Sequence, residues 1–302
     1  MQKKTLSFKQ LINTECGAGI VCASPFIIGF FVFLIIPIII SFYYSFCKYD
    51  ILSAPVWTGI KNYAGIFLTD EKFWKSLAVT FKYAFISVPM KLIFALFVAL
   101  ILVHKTKLSG LYRAVYYLPS ILGGSVAVSI LWKRIFASNG VINTLLGYIG
   151  IHTSYSWVGE VPTAIWTLIL LTVWQFGSSM LIFLASLKQI PVSLYEAARV
   201  DGANKWQQFW KVTLPLLTPT IHFNLVMQTI QGFLAFTQCY IITQGKPLDS
   251  TLFYTVYVYR QAFEFYNTGY ASALAWIMLV IIGLFTWLLF ATKKFWVYDG
   301  GF

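Results

Sequence analysis

Between residues 224 and 238 the chain places Asn224, Gln228, Gln231, Ala235 and Gln238 at i, i+4, i+7, i+11 and i+14, one stripe on a helix. Each carboxamide of that stripe both donates and accepts, which suits the hydroxyls of a sugar. Trp174, Gln175 and Ser178 form a second patch of similar character, and an indole face can stack on a pyranose ring. The same amides also suit hydrogen bonding between the helices of a bundle. A reaction centre is missing from the sequence. His104, His152 and His222 lie far apart, and neither His-Glu-x-x-His nor Gly-x-Ser-x-Gly occurs. Gly245-Lys246-Pro247 lacks the first glycine and the Ser/Thr of a phosphate-binding loop. The chain is therefore expected not to be an enzyme, and to bind no metal or cofactor of its own.

The elements that must hold these groups are membrane spans. Of 302 residues, 59% are hydrophobic, 19% aromatic and only 11% charged, with a mean hydropathy of +0.74. That balance excludes a water-soluble globule. Six apolar stretches, 17–46, 83–103, 114–132, 163–187, 212–240 and 270–291, are each long enough for a hydrocarbon core that takes about 20 helical residues. Backbone groups in lipid must be satisfied within their own segment, so the expected fold is an all-α membrane protein of six transmembrane helices. With the N-terminus inside, the inner segments hold twelve Lys and Arg and the longer outer segments nine. The positive-inside bias then puts both termini in the cytoplasm, with the first span retained and not cleaved as a signal peptide.

The net charge of +12 follows from this scatter of basic residues between spans, and no nucleic-acid partner is expected. Lys91 is the one basic residue within a span; burying it costs about 2.5–3.5 kcal/mol on insertion scales, so it should face the bundle or a partner chain. The spans hold no Asp or Glu, which argues against a proton-coupled carrier. Cys16, Cys22, Cys47 and Cys239 read as free thiols, with a Cys47 to Cys239 bridge conceivable. The aromatic run 254–265 is expected at a partner contact or in the interfacial belt.

The longest inner loop carries a helix of its own. Pro191 stops the fourth span, Ser193 stands where an N-cap would pair with Glu196 in a capping box, and Gly202 can end the helix in a left-handed cap. A helix of about two turns is marginal in water and needs a docking partner.

This segment, 193–215, resembles the E-A-A signature of ABC-importer permeases, E-A-A-x(3)-G-x(9)-[IV]-x-L-P. Here it is filled by Glu196, Ala197, Ala198, Gly202, Val212, Leu214 and Pro215, with Asp201 directly before the glycine. Residues 113–119, 131–136, 140–143, 189–191 and 270–276 extend the resemblance to the carbohydrate-uptake, maltose-type branch, specifically the first of its two permease chains. The family's Phe-Asp and Gly-Gly-Pro are replaced by Phe236-Thr237 and Gly245-Lys246-Pro247, and a large insert between the first two spans is missing.

The resemblance implies that residues 1–302 form a single transmembrane domain in a prokaryotic plasma membrane. It implies as partners a second homologous permease, a dimer of cytoplasmic ATPase subunits that uses ATP and Mg, an extracellular solute-binding protein, membrane lipid and a sugar, most naturally an oligosaccharide. Residues 193–203 would be the coupling helix between helices 4 and 5 that docks on the ATPase. Counted without gaps from Glu196 and Leu214, the positions Trp174, Gln175, Ser178, Gln228, Gln231, Gly232 and Ala235 are similar to the family's sugar-pocket lining. The reading from a different class is a self-contained secondary sugar carrier.

Overall fold

The computed structural model describes residues 15–104 and 108–298, with side chains from residue 18 onward. Lys3, Lys4, Lys9, Lys105 and Lys107, on which part of the orientation rests, and the Cys16 side chain lie outside the described residues. The chain is predominantly helical. Four helices, Ala18–Ser45, Glu71–Leu102, Lys205–Ile242 and Thr268–Trp296, are long and apolar enough to cross a membrane. Two bent helix pairs meet the same test jointly, which brings the number of candidate spans to six.

The described residues divide into two compact units. In the first, α1 (Glu15–Phe30) passes through a π turn at Phe31–Ile35 into α2 (Ile36–Ser45). None of its apolar window is buried within the chain; Phe26 is 77% and Phe33 83% exposed. Lipid tails are as apolar as these side chains, so exposure there carries no penalty. The C-terminal end of α2 is anchored by polar contacts instead. Strands β1 (Cys47–Lys48) and β2 (Val56–Trp57) form an antiparallel hairpin, followed by α3 (Lys61–Leu68). Asn62 Nδ2 donates to the carbonyls of Ser45 and Cys47, 2.9 Å each, and Tyr63 OH donates to Ser45 Oγ at 2.8 Å. Within the hairpin the Ser53 hydroxyl and backbone N–H donate to Asp50, holding its carboxyl below the usual range.

In the second unit the organising element is α4 (Glu71–Leu102). Asp70 caps it, accepting from Phe73 N–H at 3.0 Å, with Glu71 in the first turn where the helix dipole favours a negative charge. This helix begins twelve residues before the expected edge at 83. The lysines Lys72, Lys75 and Lys82 break the hydropathy but not the helix, and all three are exposed.

The expected straight span 114–132 is instead α5 (Ser109–Leu122) and α6 (Val126–Ile135), bent by 96°. Gly123-Gly124 release the chain, and Ser125 Oγ restarts it by accepting from Val128 N–H. The expected span 163–187 is α8 (Val161–Trp174) and α9 (Gly177–Gln189), bent by 41°. Before it, α7 (Val141–Tyr148) starts at Gly140, where a Cβ would lie 2.3 Å from the Ile135 carbonyl. Asn143 donates to Ser138 O and Tyr155 O and accepts from Trp157 Nε1, all at 2.8 Å, so it staples this connection together.

The two breaks hold each other. Ser120 Oγ donates to the Gln175 carbonyl at 2.9 Å and accepts from Ser178 N–H at 3.0 Å, while Gln175 Nε2 donates to Gly123 O at 3.1 Å. Backbone groups freed by a broken helix at membrane depth need such partners. Gly177 allows the approach: a Cβ there would sit 2.4 Å from the Tyr116 carbonyl oxygen and 2.7 Å from Tyr117 Cα. Behind the breaks α4 and α9 share an apolar core of Leu92, Ala95, Ala99, Met180 and Phe183, small residues letting the helices close in.

After α9, α10 (Val192–Val200) and α11 (Lys205–Gln208) lead through a π turn at Phe209–Thr213 into α12 (Leu214–Phe233). The N-cap of α10 is Pro191, without a side-chain cap, so the expected Ser193–Glu196 box does not form. Pro191 presets the entry backbone and moves the N-cap two residues earlier, leaving Ser193 inside the helix. The capping box of this region is Asn204 with Gln207. The expected span 212–240 is also interrupted: α12 ends at Phe233, residues 234–236 break it, and α13 (Thr237–Ile242) follows.

Beyond it, α14 (Tyr254–Tyr259) turns the first half of the aromatic run inward. Tyr254 is fully buried, its N–H donating to Thr80 Oγ1 at 2.8 Å, and Tyr257 OH donates to Asp70 Oδ2 at 2.5 Å. Burial pushes the Tyr254 phenol well above its ordinary value. The expectation of a surface contact for these two tyrosines is thus replaced by core packing. The last helix, α15 (Thr268–Trp296), meets α12 where His222 Nε2 lies 3.1 Å from Leu289 O. Cys22, Cys47 and Cys239 are free thiols.

Substituting Gly177 by leucine should overpack the α5–α9 crossing at about 1–3 kcal/mol. Thermal unfolding of the purified chain in detergent should fall by several degrees, whereas Gly110→Ala, with nothing within 4 Å of an added Cβ, should leave it unchanged.

Candidate functional site

The breaks in α8–α9, α5–α6 and α12–α13 open onto one cavity of about 180 Å3. Its wall is built by Tyr83, Ser87, Val88 and Lys91 from α4, Thr172 and Gln175 from the end of α8, and Gly124 from the α5–α6 bend. Gln228, Gln231, Gly232, Ala235, Phe236, Thr237 and Gln238 complete it from α12 and α13. Side chains that both donate and accept dominate this lining, and among them is one cation and no carboxylate.

The hydrogen bonds fall into two groups. Tyr83 OH and Thr172 Oγ1 are hydrogen-bonded at 2.5 Å, and each lies within hydrogen-bonding distance of the acceptor Gln238 Oε1, at 3.2 and 3.1 Å. Lys91 Nζ donates to Gln228 Oε1 at 2.8 Å. Gln231 is exposed and has no protein partner among the described residues, so its amide faces the opening. Gly232 brings α12 against α4: a Cβ would stand 3.2 Å from Val88 Cγ2 and 3.4 Å from Ala84 Cβ.

Of the residues singled out in the sequence, Gln175, Gln228, Gln231, Gly232, Ala235 and Gln238 meet at this cavity. The amide stripe is not one continuous helix face, since Ala235 and Gln238 follow the break; they reach the cavity because the break re-aims them. Trp174 does not line it. Its ring packs on Trp132, centroids 5.8 Å apart, and Trp132 Nε1 donates to Thr167 O. Ser178 serves the α5–α9 joint through its backbone N–H, and Asn224, 1% exposed, donates to Thr220 O a turn deeper in α12. The sequence reading missed Tyr83, Ser87 and Thr172. A signal for two of them was present: Tyr83, Ser87 and Lys91 stand at i, i+4 and i+8 on one face of α4.

The second candidate surface is α10. It ends as a Schellman motif, Ala203 N–H donating to Ala198 O at 2.8 Å and Gly202 holding φ +77°. Glu196, Ala197, Asp201 and Gly202 are exposed, and Val200 is 88% exposed. Two ties fix the helix from behind: Tyr195 OH lies 2.9 Å from Thr213 Oγ1, and Gln208 Nε2 donates to Ala203 O at 2.9 Å. Leu214 and Pro215 open α12 just beyond Thr213. The signature residues thus separate into an exposed row on α10 and a half-buried pair that starts the next span.

Comparison with known proteins agrees with this architecture. The chain is 55% identical over 289 residues to YesP, a probable ABC transporter permease protein of Bacillus subtilis (strain 168), covering 95% of this chain and 94% of that one. It is 31% identical over 279 residues to the trehalose/maltose transport system permease protein MalF of Thermococcus litoralis, covering 90% and 92%. Its fold is similar to a chain of a bacterial alginate ABC transporter solved in complex with an alginate pentasaccharide-bound periplasmic protein, with a TM-score of 0.79 at 21% identity over 92% of this chain and 94% of that one. Residues 61–294 match the family described as binding-protein-dependent transport system inner membrane component, and the chain belongs to that family: it is a multi-pass permease of a binding-protein-dependent ABC importer.

Proposed function

We propose that the cavity between α4, α8 and α12–α13 receives a sugar, most naturally a segment of an oligosaccharide, on its way into a prokaryotic cytoplasm. The observation that carries this reading is the convergence of Gln175, Gln228, Gln231 and Gln238 with Tyr83 and Thr172 on one cavity. Such groups exchange hydrogen bonds with water and with sugar hydroxyls alike, which a dry structural joint does not require. Printed functions of the relatives, trehalose/maltose transport for one and alginate import for another, support a carbohydrate substrate.

In this reading residues 1–302 form one transmembrane domain of six spans, each bent pair counting as a single span, with both termini cytoplasmic. A second, homologous permease completes the path, and a solute-binding protein delivers the sugar from outside. Residues 193–203 dock on a cytoplasmic ATPase dimer that binds ATP and Mg, so ATP is hydrolysed on the partner and not on this chain. The exposed residues Glu196, Ala197, Asp201 and Gly202, with Ala198 half-buried among them, support that assignment. So do the ties through Thr213 and Gln208, which would pass a pull on α10 to the start of α12. Leu214 and Pro215 there act as the rigid entry to the moving span.

Two results test this. Gln238→Leu leaves the Tyr83 and Thr172 hydroxyls without their shared acceptor, and Gln228→Leu strips Lys91 of its amide. At about 1–1.5 kcal/mol per lost hydrogen bond, each should lower sugar uptake at limiting concentration roughly tenfold. Unchanged uptake in both would place the substrate elsewhere. Gly202→Asp forces a side chain into the left-handed region and adds a charge to the docking row. It should abolish uptake while leaving the amount of chain in the membrane unaltered, as read by immunoblotting of membrane fractions.

A further inference from the structure

Lys91 is a buried cation whose charge no carboxylate among the described residues answers. It is 6% exposed, it lines the cavity, and among the described residues its ammonium makes a single hydrogen bond, to the neutral Gln228 Oε1. No carboxylate lines that cavity, and no Asp or Glu occurs in the apolar spans around it. An ammonium has three donors, so two remain for the cavity. Joining two helices through a polar contact does not explain the choice of residue: a neutral amide would do the same at a much lower desolvation cost. A charge kept at membrane depth beside a solute path is explained when the solute brings the opposite one.

We propose that the substrate is an acidic oligosaccharide whose uronate carboxylate pairs with Lys91. This rests on the reading of the cavity as the sugar site and specifies its substrate class. One cation among amides and hydroxyls fits a carboxylate, with its single charge; a phosphate ester, nearly doubly charged, calls for more than one cation. Gln228 then has a definite task. Its carbonyl oxygen holds the ammonium in place when the cavity is empty and releases one donor when the carboxylate arrives. The neutral groups, Tyr83, Thr172, Gln175, Gln231 and Gln238, are left for ring hydroxyls on the same or the neighbouring sugar. The cavity thus selects by charge at one point and by hydroxyl pattern elsewhere, and a neutral sugar of equal length leaves the ammonium uncompensated.

The test uses host cells carrying the complete importer, supplied with oligogalacturonates and oligomannuronates of two to four residues and with the same oligosaccharides after reduction of their carboxyls to alcohols. Accumulated sugar is measured in cells with the wild-type chain, Lys91→Met, Lys91→Gln and Lys91→Arg, and membrane abundance is checked for each. The proposal expects uptake of at least one uronate, competed tenfold less well by its reduced form. It expects a tenfold or greater loss of that uptake in Lys91→Met and Lys91→Gln at normal abundance, and retention in Lys91→Arg. Accumulation of only the neutral forms, or uronate uptake indifferent to Lys91→Gln, overturns the carboxylate pairing and leaves the sugar-site reading intact. Accumulation of neither form overturns both. If Lys91→Met and Lys91→Gln are absent from the membrane while Lys91→Arg is present and transports acid and neutral forms equally, the lysine is structural and the proposal fails.

Discussion

The molecule is governed by the rule that backbone N–H and C=O groups in lipid cannot be left bare. A helix that breaks at membrane depth exposes several of them at once, and this chain breaks three of its spans. The cost is contained because the breaks are brought together. One serine, Ser120, serves the carbonyl of Gln175 and the N–H of Ser178, and the Gln175 side chain serves the carbonyl of Gly123. The joint in turn requires Gly177 to admit the Tyr116 backbone and Gly123 to admit the Gln175 side chain. A polar cavity in an apolar bundle is the by-product: where helices stop, amides and hydroxyls are needed, and they leave room between them.

The cavity is also where the bundle gives up apolar packing. Behind it α4, α9 and α12 meet through alanines, a methionine and phenylalanines in a continuous core, while in front the same helix α4 turns Tyr83, Ser87 and Lys91 to the opening. The arrangement couples site and scaffold, since a shift of α12 relative to α4 moves Gln228 relative to Lys91. On the proposed reading of α10 as a docking helix, α12, tied to it at one end and carrying cavity groups along its length, would convert a pull into a change at the site. The polar ties Tyr195–Thr213 and Gln208–Ala203 stand between α10 and the start of α12. They are short-range and directional, so they transmit displacement better than apolar contact, which slides.

Some sequence signals carried a single meaning. The glycine at 202 takes the left-handed conformation its position demands, and Asn204 caps a helix as asparagine does before Lys-Trp-Gln. Others were ambiguous. Ser193 with Glu196 has capping-box spacing, yet Pro191 starts the helix earlier and makes the box unnecessary. The amide stripe has helical spacing over fifteen residues, yet the helix ends at Phe233 and only part of the stripe stays in phase. Periodicity reports what a continuous helix would display and is silent on where lipid, a neighbouring glycine or a serine hydroxyl permits that helix to stop.

What the sequence by itself determined is the solvent and the role. Long apolar blocks leave no soluble alternative, and the gapped E-A-A signature marks the family to which the chain belongs. The tertiary structure alone decided which polar residues face each other. Trp174 and Asn224 carry the right chemistry and turn elsewhere, whereas Tyr83 and Thr172, unremarkable in sequence, meet over Gln238. The reason is geometric: a residue's reach into a cavity depends on bends of 96° and 41° in helices far from it in sequence, and those bends are fixed by contacts that no local pattern encodes.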